Sequence, residues 1–325
     1  MSTKPVSYRV WIPKAPADPF SETLRSNLDG KWQLFLGDAG NPESCDVLVA
    51  GRPTADQLGA SVRSVVVPFA GIPAVTRELL LQHPDVSLHN LHHNAAPTAE
   101  MAIGLLLAVA KRVVPADQAL RRDDWTMRYD HDNALLLAGR TAVIVGYGAI
   151  GRRVGAVCKA FGMNVLGVRR MAREGAEGLP VADLPELLPR ADVLFLCVPA
   201  TPESEGMIGM RELQQLPRSA IIVNVARGAV VDEAALFAAL ERRQLWGAGL
   251  DVWWRYPEDE EARAATAPAK HDFGSLDNVV LSPHRAGHGD KTERDRALAL
   301  AELLNRGSES ADLQLENRVS AERGY

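Results

Sequence analysis

The sequence of 325 residues is poor in cysteine, and its three cysteines, Cys45, Cys158 and Cys197, lie far apart. No pair has the spacing of a metal site, so no bound metal is expected. An odd number of scattered cysteines also argues against a disulfide framework, and buried free thiols in a reducing compartment are the simplest interpretation. We therefore expect a cytoplasmic protein.

Long apolar runs and an excess of basic residues are also missing. The longest apolar stretch, Met101–Ala110, is too short to cross a bilayer, and the first residues lack the apolar core of a signal peptide. The formal net charge of −5 argues against a nucleic-acid-binding protein, which needs a basic surface for phosphates. Neither a membrane nor a nucleic acid is an expected partner.

What the chain has is the composition of a globular protein, with 46% hydrophobic and 24% charged residues. Short segments rich in Val, Ile and Leu alternate with helix-like segments almost from end to end. The predicted strands are 6–12, 33–36, 46–50, 65–67, 141–145, 164–168, 192–198, 220–225, 248–252 and 278–281. This alternation predicts an α/β fold whose parallel sheets are covered on both faces.

Two helices stand out from the rest of the pattern. One begins at Pro97 and is expected to run through residue 114, and it is apolar around most of its circumference, as in a buried helix. The other is expected over 292–305, with Gly307 past its end as a stop signal.

A glycine-rich segment, TAVIVGYGAIG, follows one predicted strand directly and opens the next predicted helix. In its pattern, Gly146-x-Gly148-x-x-Gly151, the glycines allow a tight turn, room for a pyrophosphate and close helix–strand contact. The helix N-terminus adds N–H groups and a positive dipole end for the phosphates. The segment predicts dinucleotide binding; the alternative is an ordinary glycine turn in a doubly wound sheet.

The next predicted strand carries the residues that distinguish NAD from NADP. An acid normally stands about 20 residues further on and binds the ribose hydroxyls of NAD, but the sequence there is NVLGVRRMAR. Arg169 and Arg170 suit a 2′-phosphate, which favours NADP over NAD. In the alternative, the arginines only line a solvent-facing groove and both cofactors bind.

Several segments together give the chain a family resemblance. In order along the chain they are VPFAGIP (67–73), NAAPTAEMA (94–102), GYGAIG (146–151), CVPATPES (197–204), VNVARGAVVDE (223–233), GAGLDVW (247–253) and LSPHRAG (281–287). With these motifs the chain resembles the D-isomer-specific 2-hydroxyacid dehydrogenases over essentially its whole length.

The resemblance implies two doubly wound parallel-sheet domains with the active site in the cleft between them. A flavodoxin-like catalytic domain, residues 1–95 and 288–325, would carry an inserted Rossmann cofactor domain, residues 96–287. Members of the family are similar in forming homodimers through the cofactor domain and the helix near 97–111, so a homodimer is expected.

The resemblance also implies roles for individual residues. Arg227 of NVARG would bind the substrate carboxylate and polarise its carbonyl, and His284 of SPHRAG would be the acid/base. The N–H groups of Ala70 and Gly71 would hold the other carboxylate oxygen, and Asp251 would contact the nicotinamide side of the cofactor. The full set expected at the cofactor is Gly146, Tyr147, Gly148, Ala149, Ile150, Gly151, Arg169, Arg170, Val198, Val225, Ala226, Arg227, Asp251, His284 and Gly287.

The chain departs from the family pattern five residues after Asp251. There the family usually has a glutamate followed by proline, which hydrogen-bonds the catalytic histidine and raises its pKa, whereas this chain has Tyr256 and Pro257. Three alternatives follow: Tyr256 orients His284, whose pKa is then lower; or Glu258 reaches His284 instead; or the site has specialised away from ordinary keto acids. Formate dehydrogenases of the superfamily have a neutral glutamine there, so hydride transfer is not excluded.

The expected function is that of an NAD(P)-dependent 2-hydroxyacid dehydrogenase, working as a glyoxylate- or hydroxypyruvate-like 2-keto acid reductase. The alternatives are a formate- or phosphite-type dehydrogenase and a dinucleotide-sensing regulatory protein on the same fold. His92 and His93 are expected to be structural, with contact to the substrate as the alternative. His288 is a candidate for a second titrating group, and Phe69, Trp253, Trp254 and Tyr256 either line an apolar pocket or belong to the core.

Overall fold

The computed structural model describes residues 7–38, 44–130, 134–170, 178–310 and 312–324. Val6, at the expected start of the first strand, lies outside them. The chain divides into two compact units: a first unit, Met1–Asn94 with Gly289–Tyr325, and a second unit, Ala95–His288, inserted between its two parts. The described part of each unit is built around one sheet, of six strands in the first and seven in the second.

The first unit has five parallel strands and one antiparallel edge strand. Its elements are β1 (Tyr8–Ile12), α1 (Phe20–Asn27), β2 (Trp32–Leu36), β3 (Val47–Val49), β4 (Ser64–Val67), α2 (Ala74–Leu81), β5 (Ser87–Asn90), α9 (Thr292–Gly307) and β13 (Arg318–Val319). The strand order is β13-β5-β4-β3-β1-β2, with β13 antiparallel to β5. Without β13 this is the order of a flavodoxin-like sheet.

The second unit is a parallel sheet with helices between its strands. Its elements are α3 (Ala95–Ala110), α4 (Val113–Leu120), β6 (Thr141–Val145), α5 (Ala149–Ala160), β7 (Asn164–Arg169), β8 (Leu179–Pro180), α6 (Leu184–Leu187), β9 (Val193–Leu196), α7 (Met210–Gln215), β10 (Ile221–Asn224), α8 (Glu233–Glu241), β11 (Gly247–Leu250) and β12 (Val279–Leu281). The strand order is β12-β11-β10-β9-β6-β7-β8. Because β6 has β7 on one side and β9 on the other, the winding reverses there, and ligands bind outside the carboxyl ends of strands at such a point.

Each strand of the second sheet is apolar on both faces because both faces are covered. Along β6, Val143 and Val145 pack into one core, while Ala142 and Ile144 pack into the other. Alternate residues of a strand point to opposite faces, so a run of Val, Ile and Leu is what a doubly covered sheet requires. The α/β fold with two parallel sheets, expected from the sequence, is confirmed.

The boundaries of the two prominent helices differ from those expected. The helix expected to begin at Pro97 and reach residue 114 begins two residues earlier and ends at Ala110, and α4 follows after Arg112, whose φ of 50° is left-handed. Gly307 does not follow the closing helix but lies in its last turn. A Cβ there would lie 2.3 Å from Leu315 Cδ2, so the glycine makes room for a packed leucine.

Candidate active site

The glycine-rich loop joins β6 to α5 at the point where the winding reverses. Gly146 has φ 98°, and a Cβ on it would lie 2.5 Å from the carbonyl oxygen of Cys197. A Cβ on Gly151 would lie 2.3 Å from the carbonyl oxygen of Gly146, whereas a Cβ on Gly148 would meet nothing within 4 Å. Two glycines therefore allow close packing, and the third leaves open space where a pyrophosphate fits.

The first turn of α5 faces this open space. Gly148 is the N-cap residue of α5, and no side chain caps the helix among the described residues. Ala149 and Ile150 are half-buried at its start. A 12-residue helix beginning here offers N–H groups and the positive end of its dipole to an anion, so the loop fits the phosphates of a dinucleotide.

The side chain of Tyr147 packs between α5 and β7 and so supports the loop. Its side chain is 5% exposed, and its main-chain N–H donates to the carbonyl of Val168 at 3.0 Å, as does that of Gly146. The ring fills a slot between two glycines: a Cβ on Gly167 would lie 2.3 Å from Tyr147 Cγ, and one on Gly155 would lie 2.7 Å from its hydroxyl. The observed contacts of Tyr147 are thus with the protein core.

The two arginines expected at a 2′-phosphate lie at the carboxyl end of β7. Arg169 is half-buried, pairs in register with Pro180 of β8, and places its Cδ 2.8 Å from where a Cβ of Gly178 would be. Arg170 follows it and is exposed. Both are therefore at the end of the strand next to the glycine-rich loop, as a role in binding the adenosine end of a cofactor requires.

The turn after β10 presents Arg227. The buried Asn224 shapes this turn, because its amide donates to the carbonyl of Arg227 at 3.0 Å and accepts from the N–H of Ala226 at 3.0 Å. Gly228 lets the turn approach the chain after β11, since a Cβ there would lie 2.3 Å from the carbonyl oxygen of Trp253. Burial lowers the pKa of the Arg227 guanidinium, and no carboxylate pairs with it among the described residues.

Asp251, 1% exposed, holds the SPHRAG loop together. Its carboxylate accepts the hydroxyl of Ser282 and, at 2.9 Å each, the N–H groups of Arg285 and Ala286. The carboxylate therefore fixes the segment that carries His284. The cofactor contact expected of Asp251 stays a prediction.

His284 lies in the middle of that segment with φ 53°. Although His284 is exposed, partial loss of water around its ring lowers its pKa most; the charge of Arg227 lowers it further, Asp251 opposes this, and His288 adds a smaller lowering. Arg227 and His284 are therefore close enough to interact through their charges. The role of second titrating group expected of His288 stays a prediction.

Tyr256 lies against His284 through its ring and not through its hydroxyl. The ring centroids are 5.4 Å apart at an angle of 54°, while the hydroxyl accepts the N–H of Trp253 at 3.1 Å. Burial raises the pKa of Tyr256, so the phenol stays neutral at neutral pH. Glu258 is exposed, and among the described residues it forms no ion pair with His284.

The other residues singled out from the sequence divide between the units. Trp253 packs in the core of the second unit and Trp254 stacks on Phe273 with ring centroids 5.4 Å apart, so both have the core role that was the alternative to pocket lining. Val198, Val225, Ala226 and Gly287 follow the carboxyl ends of β9, β10 and β12.

The first unit contains the expected substrate loop and the histidine pair. Ala70 and Gly71 follow the carboxyl end of β4, and neither main-chain N–H donates to a protein acceptor in the described part of this unit. His93 accepts from Arg296 at 3.4 Å, and burial, Arg296 and His92 lower its pKa to about 4. This pairing supports a structural role for His93.

Three residues that shape the site were not assigned from the sequence. Ser282 binds Asp251, Asn224 forms the turn of Arg227, and Trp253 donates its indole N–H to the carbonyl of Ser282 at 2.8 Å. The signal for the first two was their place inside the SPHRAG and NVARG motifs. Trp253 gave no such signal, because an aromatic residue after a buried strand is usually core.

Comparison with known proteins identifies the family. A model of the NAD-binding domain of D-isomer specific 2-hydroxyacid dehydrogenases matches residues 103–286, more than half of the chain. The chain belongs to the D-isomer-specific 2-hydroxyacid dehydrogenase family. The expected family and the expected NAD or NADP cofactor are thereby confirmed.

Two curated members of the family are similar to part of the chain. A glyoxylate reductase of Korarchaeum cryptofilum is 39% identical over 64% of this chain and 61% of its own length. A D-3-phosphoglycerate dehydrogenase of Methanocaldococcus jannaschii is 34% identical over 81% of this chain and 50% of its own length. The chain thus spans about half to three-fifths of the length of these relatives.

One solved structure of a family member matches almost the whole chain. It is a D-isomer specific 2-hydroxyacid dehydrogenase from Xanthobacter autotrophicus Py2 in complex with NADPH and MES, with TM-score 0.79, 25% identity and coverage of 98% of this chain and 100% of that chain. Among the described residues of the protein, no helix is long and apolar enough to span a membrane. No group of His, Cys, Asp or Glu residues described here is arranged to hold a metal ion.

Proposed function

We propose that the protein is an NAD(P)-dependent oxidoreductase that interconverts small 2-keto and 2-hydroxy acids, working as a glyoxylate- or hydroxypyruvate-like reductase. The observation that carries this is Arg227, a half-buried cation without a carboxylate partner among the described residues and close enough to His284 to lower its pKa. A charge that is partly removed from water is normally paired, so this arrangement suits an anionic ligand.

In the proposed reaction, Arg227 binds the substrate and His284 transfers the proton. A bound nicotinamide supplies or accepts the hydride. The guanidinium of Arg227 binds the carboxylate and the carbonyl oxygen of a 2-keto acid and stabilises negative charge on that oxygen. The imidazolium of His284 then gives its proton to the oxygen, which becomes the hydroxyl, and neutral His284 takes the proton back in the oxidation.

The catalytic roles of Arg227, His284 and Tyr256 and the cofactor contacts belong to the same proposal. So do the domain roles, with residues 1–95 and 288–325 as the substrate domain, which presents Ala70 and Gly71, and 96–287 as the cofactor domain. A preference for NADP is supported by Arg169 and Arg170, which end β7 where NAD-specific relatives have an acid.

The assay that tests the proposal follows the oxidation of NADPH and of NADH separately with glyoxylate, hydroxypyruvate and longer 2-keto acids. Turnover with NADPH at lower KM than with NADH is expected. Binding of cofactor without oxidation of either one by any acid of the panel would contradict the reductase and favour the dinucleotide sensor.

Replacing Arg227 tests the anion site directly. Arg227→Gln is expected to lower kcat/KM for 2-keto acids by about 10²- to 10³-fold, because a preorganised charge on the developing oxyanion is lost. The same variant should raise the pKa of His284, since Arg227 lowers it in the wild type. Histidine NMR gives that pKa. An unchanged pKa of His284 would show that the charge of Arg227 does not act on it.

We also infer a homodimer in a reducing compartment. Large apolar side chains are exposed along the segment after α3: Val113, Leu120, Trp125, Tyr129 and Leu136 are 49–73% exposed. Exposed apolar side chains of this number favour a partner surface, and a second copy of the chain suits them.

The buried thiols are those expected of a protein in a reducing compartment. Burial raises the pKa of Cys45 to about 11 and of Cys158 to about 12, so both stay protonated and unreactive.

A further inference from the structure

The backbone of His284 adopts a conformation that the residue does not favour by itself. Its φ of 53° lies in the left-handed region, where a residue with a Cβ is uncommon. Such a residue keeps this conformation only when its surroundings hold it there. The contacts on both sides of His284 therefore determine where its imidazole points.

On the N-terminal side, the carbonyl of Ser282 holds the turn that leads into His284. It accepts the N–H of His284 at 3.0 Å and the indole N–H of Trp253 at 2.8 Å. Pro283 between them has its φ restricted by the ring, which suits such a three-residue turn. Trp253 is 6% exposed and Ser282 8%, so water does not compete for this bond.

On the side of the imidazole, the same tryptophan holds the ring that packs against it. The main-chain N–H of Trp253 donates to the Tyr256 hydroxyl at 3.1 Å, and the Tyr256 ring lies 5.4 Å from the His284 ring. Trp253 is itself fixed in the core against Phe273, with ring centroids 6.2 Å apart. One buried residue thus binds both the turn before His284 and the ring beside it.

We propose that Trp253 is the positioning residue of His284, and that its two N–H groups keep the imidazole in one orientation where no carboxylate of the described residues hydrogen-bonds it. The groups that face His284 are Arg227, Asp251, His288 and Tyr256. Of these only Asp251 is an acid, and the described hydrogen bonds of its carboxylate go to Ser282, Arg285 and Ala286. The catalytic part of this inference rests on the proposed function.

Trp253→Phe tests the proposal because it removes the indole N–H and keeps an aromatic ring in the core. The matched control is Trp254→Phe, since the indole of Trp254 also donates to a main-chain carbonyl, that of Val231 at 3.0 Å, but not to the His284 loop. Trp253→Phe should lower kcat about 10- to 100-fold, with KM for NADPH and keto acid unchanged, because small misplacements of a reacting group cost this much.

The NMR signals of the His284 imidazole, assigned with His284→Gln, give a readout that needs no turnover. In Trp253→Phe they should broaden or split, because the ring samples more than one orientation, and in Trp254→Phe they should match the wild type. Tyr256→Phe, which removes the acceptor of the second Trp253 N–H at a 44% exposed position, should lower kcat in the same direction with KM unchanged.

Wild-type kcat and wild-type His284 signals in Trp253→Phe would overturn the proposal, as would equal losses in Trp253→Phe and Trp254→Phe. If Trp253→Phe does not fold, unchanged kcat and unchanged His284 signals in Tyr256→Phe would overturn it. If the wild-type enzyme turns over no 2-keto acid, the proposed function fails, and the imidazole signals alone decide whether Trp253 positions His284.

Discussion

In the proposed reaction, the charge around His284 sets the pH dependence of reduction and of oxidation. Burial and Arg227 lower the pKa of His284, and the neutral Tyr256 ring does nothing to restore it. With His284 as the proposed acid/base, reduction needs its imidazolium and oxidation needs its neutral imidazole. With a lowered pKa, kcat/KM for reduction is therefore at its full value only at pH values below that pKa and falls as the pH rises through it.

Placing a carboxylate beside the imidazole should move this pH dependence. Tyr256→Glu is expected to raise the pKa of His284, because a nearby negative charge stabilises the imidazolium. The fall of kcat/KM for glyoxylate reduction should then occur at higher pH than in the wild type, by about one pH unit or more. Initial rates measured across the pH range give the midpoint.

Tyr256→Gln is the matched control for this prediction, because glutamine has the size of glutamate without its charge. Its midpoint should not follow that of Tyr256→Glu. The electrostatic account of Tyr256 fails if the two variants give the same pH profile.

The position of the glycine-rich loop depends on how closely the helix α5 lies to the strand β7. The ring of Tyr147 fills the space between Gly155 on the helix and Gly167 on the strand. The cofactor is expected to bind at the first turn of the same helix. The size of the buried ring and the absence of side chains at both glycines thus together set the position of the glycine-rich turn.

Gly167→Ala should therefore weaken both folding and NADPH binding. The added methyl would lie 2.3 Å from Tyr147 Cγ, so the ring must move. Overpacking of this kind costs about 1–3 kcal/mol of the free energy of unfolding, measurable by urea denaturation, and KM for NADPH should rise with kcat little changed.

The double variant Tyr147→Ala with Gly167→Ala removes the clash, so it should be destabilised by less than the sum of the two single changes. Additive free energies of unfolding would show that the ring and the glycine do not restrict one another.

Strand prediction succeeded at the longer apolar strands and missed β5, β8 and β13, of which β8 and β13 have two residues each. The strand β5, Ser87–Asn90, was not predicted, because SLHN lacks an apolar pattern. His89 is nevertheless 2% exposed, with one ring nitrogen 2.7 Å from the carbonyl of Glu316 and the other 2.8 Å from the Ser87 hydroxyl. A polar residue is buried when distant chain segments satisfy it, and the local sequence does not contain those segments.

At the scale of the whole molecule, the exposed apolar side chains after α3 are expected to lie between two copies of the chain. Trp125→Glu should shift the protein towards monomer, because a charge replaces a side chain that is 58% exposed in the single chain. Sedimentation velocity measures the distribution.

Leu81→Glu provides the comparison, since Leu81 is 50% exposed at the end of α2 in the first unit and is not expected at the interface. A single sedimenting species of monomer mass in the wild type would contradict the homodimer. So would equal shifts in the Trp125 and Leu81 variants.

The α/β class, the glycine-rich turn, the family and the positions of Arg227 and His284 along the chain could all be predicted from the residues alone. These features depend on periodicity and on local backbone requirements, which act within a few residues and are visible in the order of residue types. The absence of a glutamate at Tyr256 was visible in the same way.

The partners of the polar groups, in contrast, became visible only in the folded chain. The Tyr256 hydroxyl accepts from Trp253 and not from His284, Asp251 holds the loop from Ser282 to Ala286, and the indole of Trp253 binds the Ser282 carbonyl 29 residues away. A hydrogen bond depends on distance and direction between atoms of different segments. Residue types along the chain do not specify those distances, and packing of the whole sheet and its helices does.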